Sequence, residues 1–141
     1  MDKLTKILQD HRELGQSIEF FGKFLDAFIK KEMPDYLKRF QRFHAHMLAH
    51  FRLEEEGIFS FALQNGGPQE KQLARELQED HRRILDMLAK FDNLLVSYNN
   101  QSEAKHTMDI VDIDKELFKA IYIHAQKEEL QLFPALKKYA G

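Results

Sequence analysis

Apolar residues in this chain recur at alternating steps of three and four, and four such stripes follow one another. The first is Leu4, Leu8, His11, Leu14, Ile18, Phe21, Leu25 and Phe28; the second is Tyr36, Phe40, Phe43, Met47, His50, Glu54, Ile58 and Phe61. The third runs Leu73, Leu77, His81, Ile84, Leu88, Phe91, Leu95 and Tyr98, and the fourth Ile110, Leu117, Ile121, His124, Glu128 and Leu132. This step is the period of one face of a helix, whereas a half-buried strand alternates every second residue. The chain is therefore expected to be all-α, and each stripe carries a histidine on the face that should turn to the core.

Pro34 suits the first turn of the second helix, where its missing N–H costs nothing, and Gly66-Gly67-Pro68 parts the second helix from the third. The polar run Asn99-Asn100-Gln101-Ser102 should open the third loop, which closes at Thr107 as an N-cap; Pro134 should kink or nearly end the last helix. Long helices joined by short loops pack as antiparallel neighbours, which predicts an up-down-up-down four-helix bundle. A length of 141 residues, 43% of them hydrophobic, suits one continuous core and hence one domain over residues 1–141.

Composition removes whole classes of chemistry. The 21 basic and 23 acidic residues are interspersed, so the chain lacks the basic field that condenses on nucleic acid. Cysteine is absent, which excludes disulfides, thiolate metal sites and cysteine nucleophiles together. The amino terminus lacks the apolar run of a secretion signal, and no later segment approaches the roughly eighteen apolar residues of a membrane span, so a soluble, cytoplasmic protein without a membrane partner is expected.

Within this frame one arrangement is written twice. HFRLEEEGIF (residues 50–59) and HAQKEELQLF (residues 124–133) both read histidine, three residues, Glu-Glu, two residues, Ile or Leu, then Phe; Asp10-His11-Arg12 and Asp80-His81-Arg82 form a second pair upstream. If the first helix echoes the third and the second echoes the fourth, a pseudo-twofold axis relates them and sets two half-sites face to face. Counting residues to each loop at about 1.5 Å each puts His50, His81 and His124 at one level, with His11 offset by about 5 Å.

Six polar groups then meet in an apolar core: His11, His50, Glu54, His81, His124 and Glu128. Two buried carboxylates without partners would cost several kcal/mol each, and no lysine or arginine lies in the four stripes. A pair of metal ions answers that need. A glutamate four residues after a histidine puts both on one helix face, and imidazole with carboxylate suits iron, manganese, zinc or copper, with iron or manganese typical of dinuclear helix-bundle sites. Glu55, Glu56 and Glu129 rotate away from the seam toward solvent or supporting roles. His46, one turn before His50 but at the stripe edge, is expected outside the ligand set, with orienting the site or adding a ligand as the lesser reading. His44 and a loop-borne His106 are expected at the surface, and Asp10 and Asp80 should point elsewhere, into capping or charge pairing.

The ordered series His11, then His50 with Glu54, then His81, then His124 with Glu128, together with HFRLEEEGIF and ELQLFP, resembles the hemerythrin-like family, the HHE cation-binding domain. The resemblance implies a non-haem centre of two iron ions, bridged by the two glutamates and an oxo or hydroxo group. It further implies terminal histidines and a small ligand: dioxygen, nitric oxide or peroxide. Oxygen-carrying members have a fifth histidine in a His-x-x-x-His pair on the third helix, where this chain has Leu77 and Leu85 about His81. Four histidines, two bridging carboxylates and one bridging oxygen fill ten of the twelve positions of two octahedral irons, a more open site than the carriers have. A carrier, sensor or scavenger is the first reading. An enzyme with peroxidase, oxidase or iron-centre repair activity is the alternative, although no separate acid–base residue is evident. Histidine phosphotransfer, which needs a single exposed histidine, fits poorly.

Overall fold

The computed structural model describes residues 6–15, 33–101 and 105–140, and among these every regular element is helical. Helix α1 covers residues 6–15. Helix α2 (Met33–Glu54) runs through a π-helical turn, Glu55–Phe59, into α3 (Ser60–Asn65) as one rod. Helix α4 (Pro68–Gln101) follows, and α5 (Lys105–Lys127) passes through a second π-helical turn, Glu128–Leu132, into α6 (Phe133–Ala140). The expected residues Leu4, Ile18, Phe21, Leu25 and Phe28 of the first stripe lie outside the described residues.

The core divides into two apolar clusters with a polar layer between them. At one end Ile7 of α1 packs with Ile58, Phe59, Ala74, Leu77, Leu132 and Phe133. At the other, Leu14 joins Phe40, Met47, Phe51, Leu88, Phe91 and Ile121. The start of α1 and of α4 thus lies beside the end of the α2–α3 rod and of the α5–α6 rod, as the alternating directions of an up-down-up-down bundle require. Each buried aromatic or aliphatic side chain contributes about 1.5–3 kcal/mol, so the two clusters hold the intervening layer rigidly at one depth.

The turn between α3 and α4 is short for a steric reason. A Cβ on Gly66 would meet the Ala62 carbonyl oxygen at 2.6 Å and Glu70 Cβ at 2.8 Å, while the Gly66 N–H donates to that same oxygen at 2.9 Å. Only glycine lets the chain double back this tightly.

The structure corrects four local expectations. Asn99, Asn100 and Gln101 belong to α4, and Thr107 lies within the first turn of α5 instead of capping it; the modest helix penalty of asparagine yields to a helix anchored along its length. Pro134 does not end the last helix, which continues to Ala140, and the irregularity is the π turn just upstream. The extra residue of the first π turn shifts the buried face, so Ala62 is fully buried and Phe61 only half-buried. In α1 and α4 the deeper residues are Ile7 and Ala74, with Leu8 and Leu73 partly covered.

Candidate metal centre

The polar layer consists of the six residues expected from the sequence, all buried: His11, His50, Glu54, His81, His124 and Glu128. They form two groups of four donors, His11, His50, Glu54 and Glu128 in one and Glu54, His81, His124 and Glu128 in the other, each with its ligand atoms within 4.8 Å of one another. Both glutamates belong to both groups. The two oxygens of Glu54 divide between them: Oε2 is 3.1 Å from His11 Nε2 and 3.1 Å from His50 Nε2, while Oε1 is 3.0 Å from His81 Nε2. Glu128 Oε1 lies 2.9 Å from His11 Nε2 and 3.3 Å from His124 Nε2. His11, the histidine whose depth fits least well by residue count, is thus in the same layer as the others.

Both histidine–glutamate pairs end at a π-helical turn, which begins beside Glu54 in one rod and at Glu128 in the other. Such turns leave the α-helical frame by one residue. Here they bring two successive side chains inward, Ile58 with Phe59 and Leu132 with Phe133, which roof the layer with apolar surface.

The outer nitrogens of the histidines are held by carboxylates, in a pattern that repeats across the pseudo-twofold axis. His50 Nδ1 donates to Asp10 Oδ2 at 2.5 Å, and its counterpart His124 Nδ1 donates to Asp80 Oδ2 at 3.4 Å. His11 Nδ1 donates to Glu129 Oε1 at 3.1 Å, whereas His81 Nδ1 stands 3.7 Å from Glu55 Oε1. Asp10 and Asp80 therefore do not point away: each reaches across to the histidine of a neighbouring helix. A carboxylate on Nδ1 keeps the proton there and turns the Nε2 lone pair inward, the tautomer that binds a cation. Glu129 takes the supporting role, although half-exposed, and Glu56 is solvent-facing.

The remaining polar residues sit further out. His46 Nε2 is 2.6 Å from Asp10 Oδ1, and among the described residues no hydrogen bond or ion pair joins it to any of the six. His44 is partly buried, 3.9 Å from Asp92, and His106 is the second residue of α5, not a loop residue. Asp10, Glu13 and His46 also gather three donors, but at the surface.

Charge in the layer is balanced by protons when cations are not there to do so. Burial opposes the charged form of His11, but hydrogen bonds to Glu128 and Glu54 outweigh it and raise the imidazole to about 10. His124 is raised to about 11, against burial, by Asp80, Glu128 and Glu54. His50 is raised likewise, chiefly by Glu54. His81 is lowered, because burial wins: Phe51 stacks on its ring with centroids 3.7 Å apart. Glu54 falls well below its ordinary value despite complete burial, held there by Glu128 beside it and by the imidazoles of His11, His124 and His50 gathered around its carboxylate; Glu128 is pushed up to about 7 by burial and by the charge of Glu54.

Two features of the site fit a cation pair better than a closed hydrogen-bond network. Glu128 Oε2 and His124 Nε2 are buried without a hydrogen-bond partner, and among the described residues no lysine or arginine pairs with Glu54 or Glu128. Orphaned polar atoms of this kind are rare in a folded core. A cleft of about 440 Å³ reaches His11, His50, His124 and Glu128 between Leu14, Met47, Phe51 and Ile121, with Arg12, Tyr122 and Gln126 also in its lining.

No helix among the described residues is long and apolar enough to cross a membrane. No curated protein and no solved structure matches the chain. The hemerythrin HHE cation binding domain matches residues 2–136, and to that family of cation-binding helical bundles the chain belongs.

Proposed function

We propose that residues 1–141 form one hemerythrin-like domain holding two iron ions, and that it takes up dioxygen or a related small ligand, nitric oxide or peroxide, as a carrier, sensor or scavenger in the cytoplasm. The observation that carries this reading is the sharing of Glu54 and Glu128 between two buried groups of four donors. His11 and His50 would hold one ion, His81 and His124 the other, and the two glutamates would bridge them. Bound there, an iron pair supplies two-electron redox chemistry toward a small oxidant. The chain's own part is to hold the Nδ1 protons of His11, His50 and His124 and aim their Nε2 atoms inward through Glu129, Asp10 and Asp80, to exclude bulk water with Phe51, Phe59 and Phe133, and to admit the ligand by the cleft. Among the described residues nothing beside the cleft forms a nucleophile with its base.

The cleft itself supports a second reading, since about 440 Å³ is far more room than a diatomic needs. An organic reductant or peroxide entering there would make the same centre a peroxidase, an oxidase or an iron-centre repair protein. Stopped-flow mixing of the reduced, iron-loaded protein with dioxygen separates the two. A stable spectral change that reverses under vacuum supports carriage or sensing, whereas rapid oxidation with repeated consumption of oxidant supports an enzyme. No reaction at all with dioxygen, nitric oxide or peroxide contradicts both.

A further inference from the structure

The two half-sites match in their inner residues and differ in what surrounds them. Asp80, which orients His124, is clamped by cations: Arg83 pairs with its Oδ1, and Lys127 Nζ lies 3.3 Å from its Oδ2. At the positions related by the repeat, Arg83 is replaced by Glu13 and Lys127 by Leu53, while Ala120 is replaced by His46. Asp10, the counterpart of Asp80, therefore has no lysine or arginine partner among the described residues, and its second oxygen is held by His46 alone. The Asp10–His50 bond is 2.5 Å long against 3.4 Å for Asp80–His124.

From this asymmetry we infer that His46 is a positioning residue that acts through Asp10 on His50 and makes the metal position at His11 and His50 the tighter of the two. The inference rests on the reading that the six residues hold two ions. Two carboxylates, Asp10 and Glu129, support the histidines of this position with no lysine or arginine paired to either among the described residues, so their negative charge acts on the imidazoles and, through them, on the ion. At the other position the charge of Asp80 is shared with Arg83 and Lys127 before it reaches His124. An imidazole backed by an unshared carboxylate is the stronger donor. His46 is needed because a carboxylate with one oxygen on His50 and the other free in water is at liberty to rotate. His46 fixes the free oxygen, its Nε2 lying 2.6 Å from Asp10 Oδ1.

The test is a titration of metal-free protein with cobalt(II), whose absorption reports each ion as its ligands close around it. Wild type, His46→Ala and His46→Asn are compared, with helical circular dichroism confirming that each variant is folded. Wild type should bind two ions in two resolved steps. His46→Ala should weaken the tighter step about tenfold or more, as loss of an outer hydrogen bond commonly does, and leave the weaker step within about threefold. His46→Asn, which still offers an N–H to Asp10, should recover most of the loss. Equal weakening of both steps, weakening of the looser step alone, or no change would overturn the inference, as would a third ion in wild type that His46→Ala removes, because His46 would then be a ligand itself. Failure of the underlying reading looks different: wild type would bind fewer than two ions.

Discussion

The ring of Phe51 lies flat on the imidazole of His81, with centroids 3.7 Å apart and planes 10° from parallel. Phe51 follows His50 directly in α2, so one turn of that helix supplies both a member of one half-site and the cover over a member of the other. This contact adds to the burial that holds His81, unlike the other three inner histidines, below its ordinary value, which suits an imidazole that must stay neutral to bind a cation.

Phe51→Ala should therefore do two things at once. Removing a buried aromatic ring costs about 3–5 kcal/mol of stability. It also widens the cleft that Phe51 lines, so oxidation of the iron-loaded protein by dioxygen should accelerate while two ions are still bound. Thermal unfolding and an oxidation time course check the two effects separately; a variant as stable as wild type, or slower to oxidise, would show that Phe51 is not the cover described.

The two glutamates shared by both donor groups should prove unequal in the metal-free protein. Glu54 is held ionised by histidines on three helices, whereas Glu128 is raised to about 7 by burial and by the charge of Glu54 and so takes up a proton far more readily. Glu54→Gln leaves protonated imidazoles without their countercharge and should cost about 3–5 kcal/mol, while Glu128→Gln at pH 7 should cost less than half as much. In the presence of iron both Glu54→Ala and Glu128→Ala should lose dinuclear loading, measured as iron per chain. Full occupancy in both alanine variants would remove the bridging assignment.

Much of this site is legible in the amino-acid sequence alone. The stripe His81, Ile84, Leu88, Phe91 and Leu95 is buried residue for residue, because an uninterrupted α-helix keeps its period from end to end. The six inner residues follow from the same period. The π turns do not, since a single extra residue leaves no compositional mark, and they displace the buried face from Phe61 to Ala62. Asp10 and Asp80 escape the pattern for another reason. Each is one position from a histidine and so about 100° away on its own helix, and only the packing of neighbouring helices shows that this angle aims it at the next histidine. The charge asymmetry between Arg83 and Glu13 can be read in the sequence once that packing is known.

Protonation makes the metal-free and metal-loaded proteins respond to pH in opposite ways. A histidine raised in the fold stabilises it fully below the unfolded value of 6.5, and this is lost as pH climbs through about 10 for His11 and about 11 for His124. Glu54, lowered in the fold, stabilises it above 4.5 and ceases to do so as pH falls through its depressed value. Glu128, raised to about 7, favours the fold below 4.5 and loses that contribution as pH rises through 7. His81, lowered, works in the opposite sense to the other histidines but stands alone. The metal-free protein should thus be most stable between pH 4.5 and 6.5 and weaken steadily toward pH 10. Iron affinity should rise over the same interval, because each ion displaces imidazole protons. A metal-free melting temperature that increases between about pH 6 and 9 would contradict this.

Anaerobic titration of the metal-free protein with iron(II), followed by iron analysis after gel filtration, addresses the central claim most directly. Two tightly held irons per chain are expected, with a single substitution, Glu54→Ala, reducing the count to one or none. Retention of no iron by wild type, or retention of two irons by a variant with His11, His50, His81 and His124 all changed to alanine, would show that the buried layer is not where cations reside.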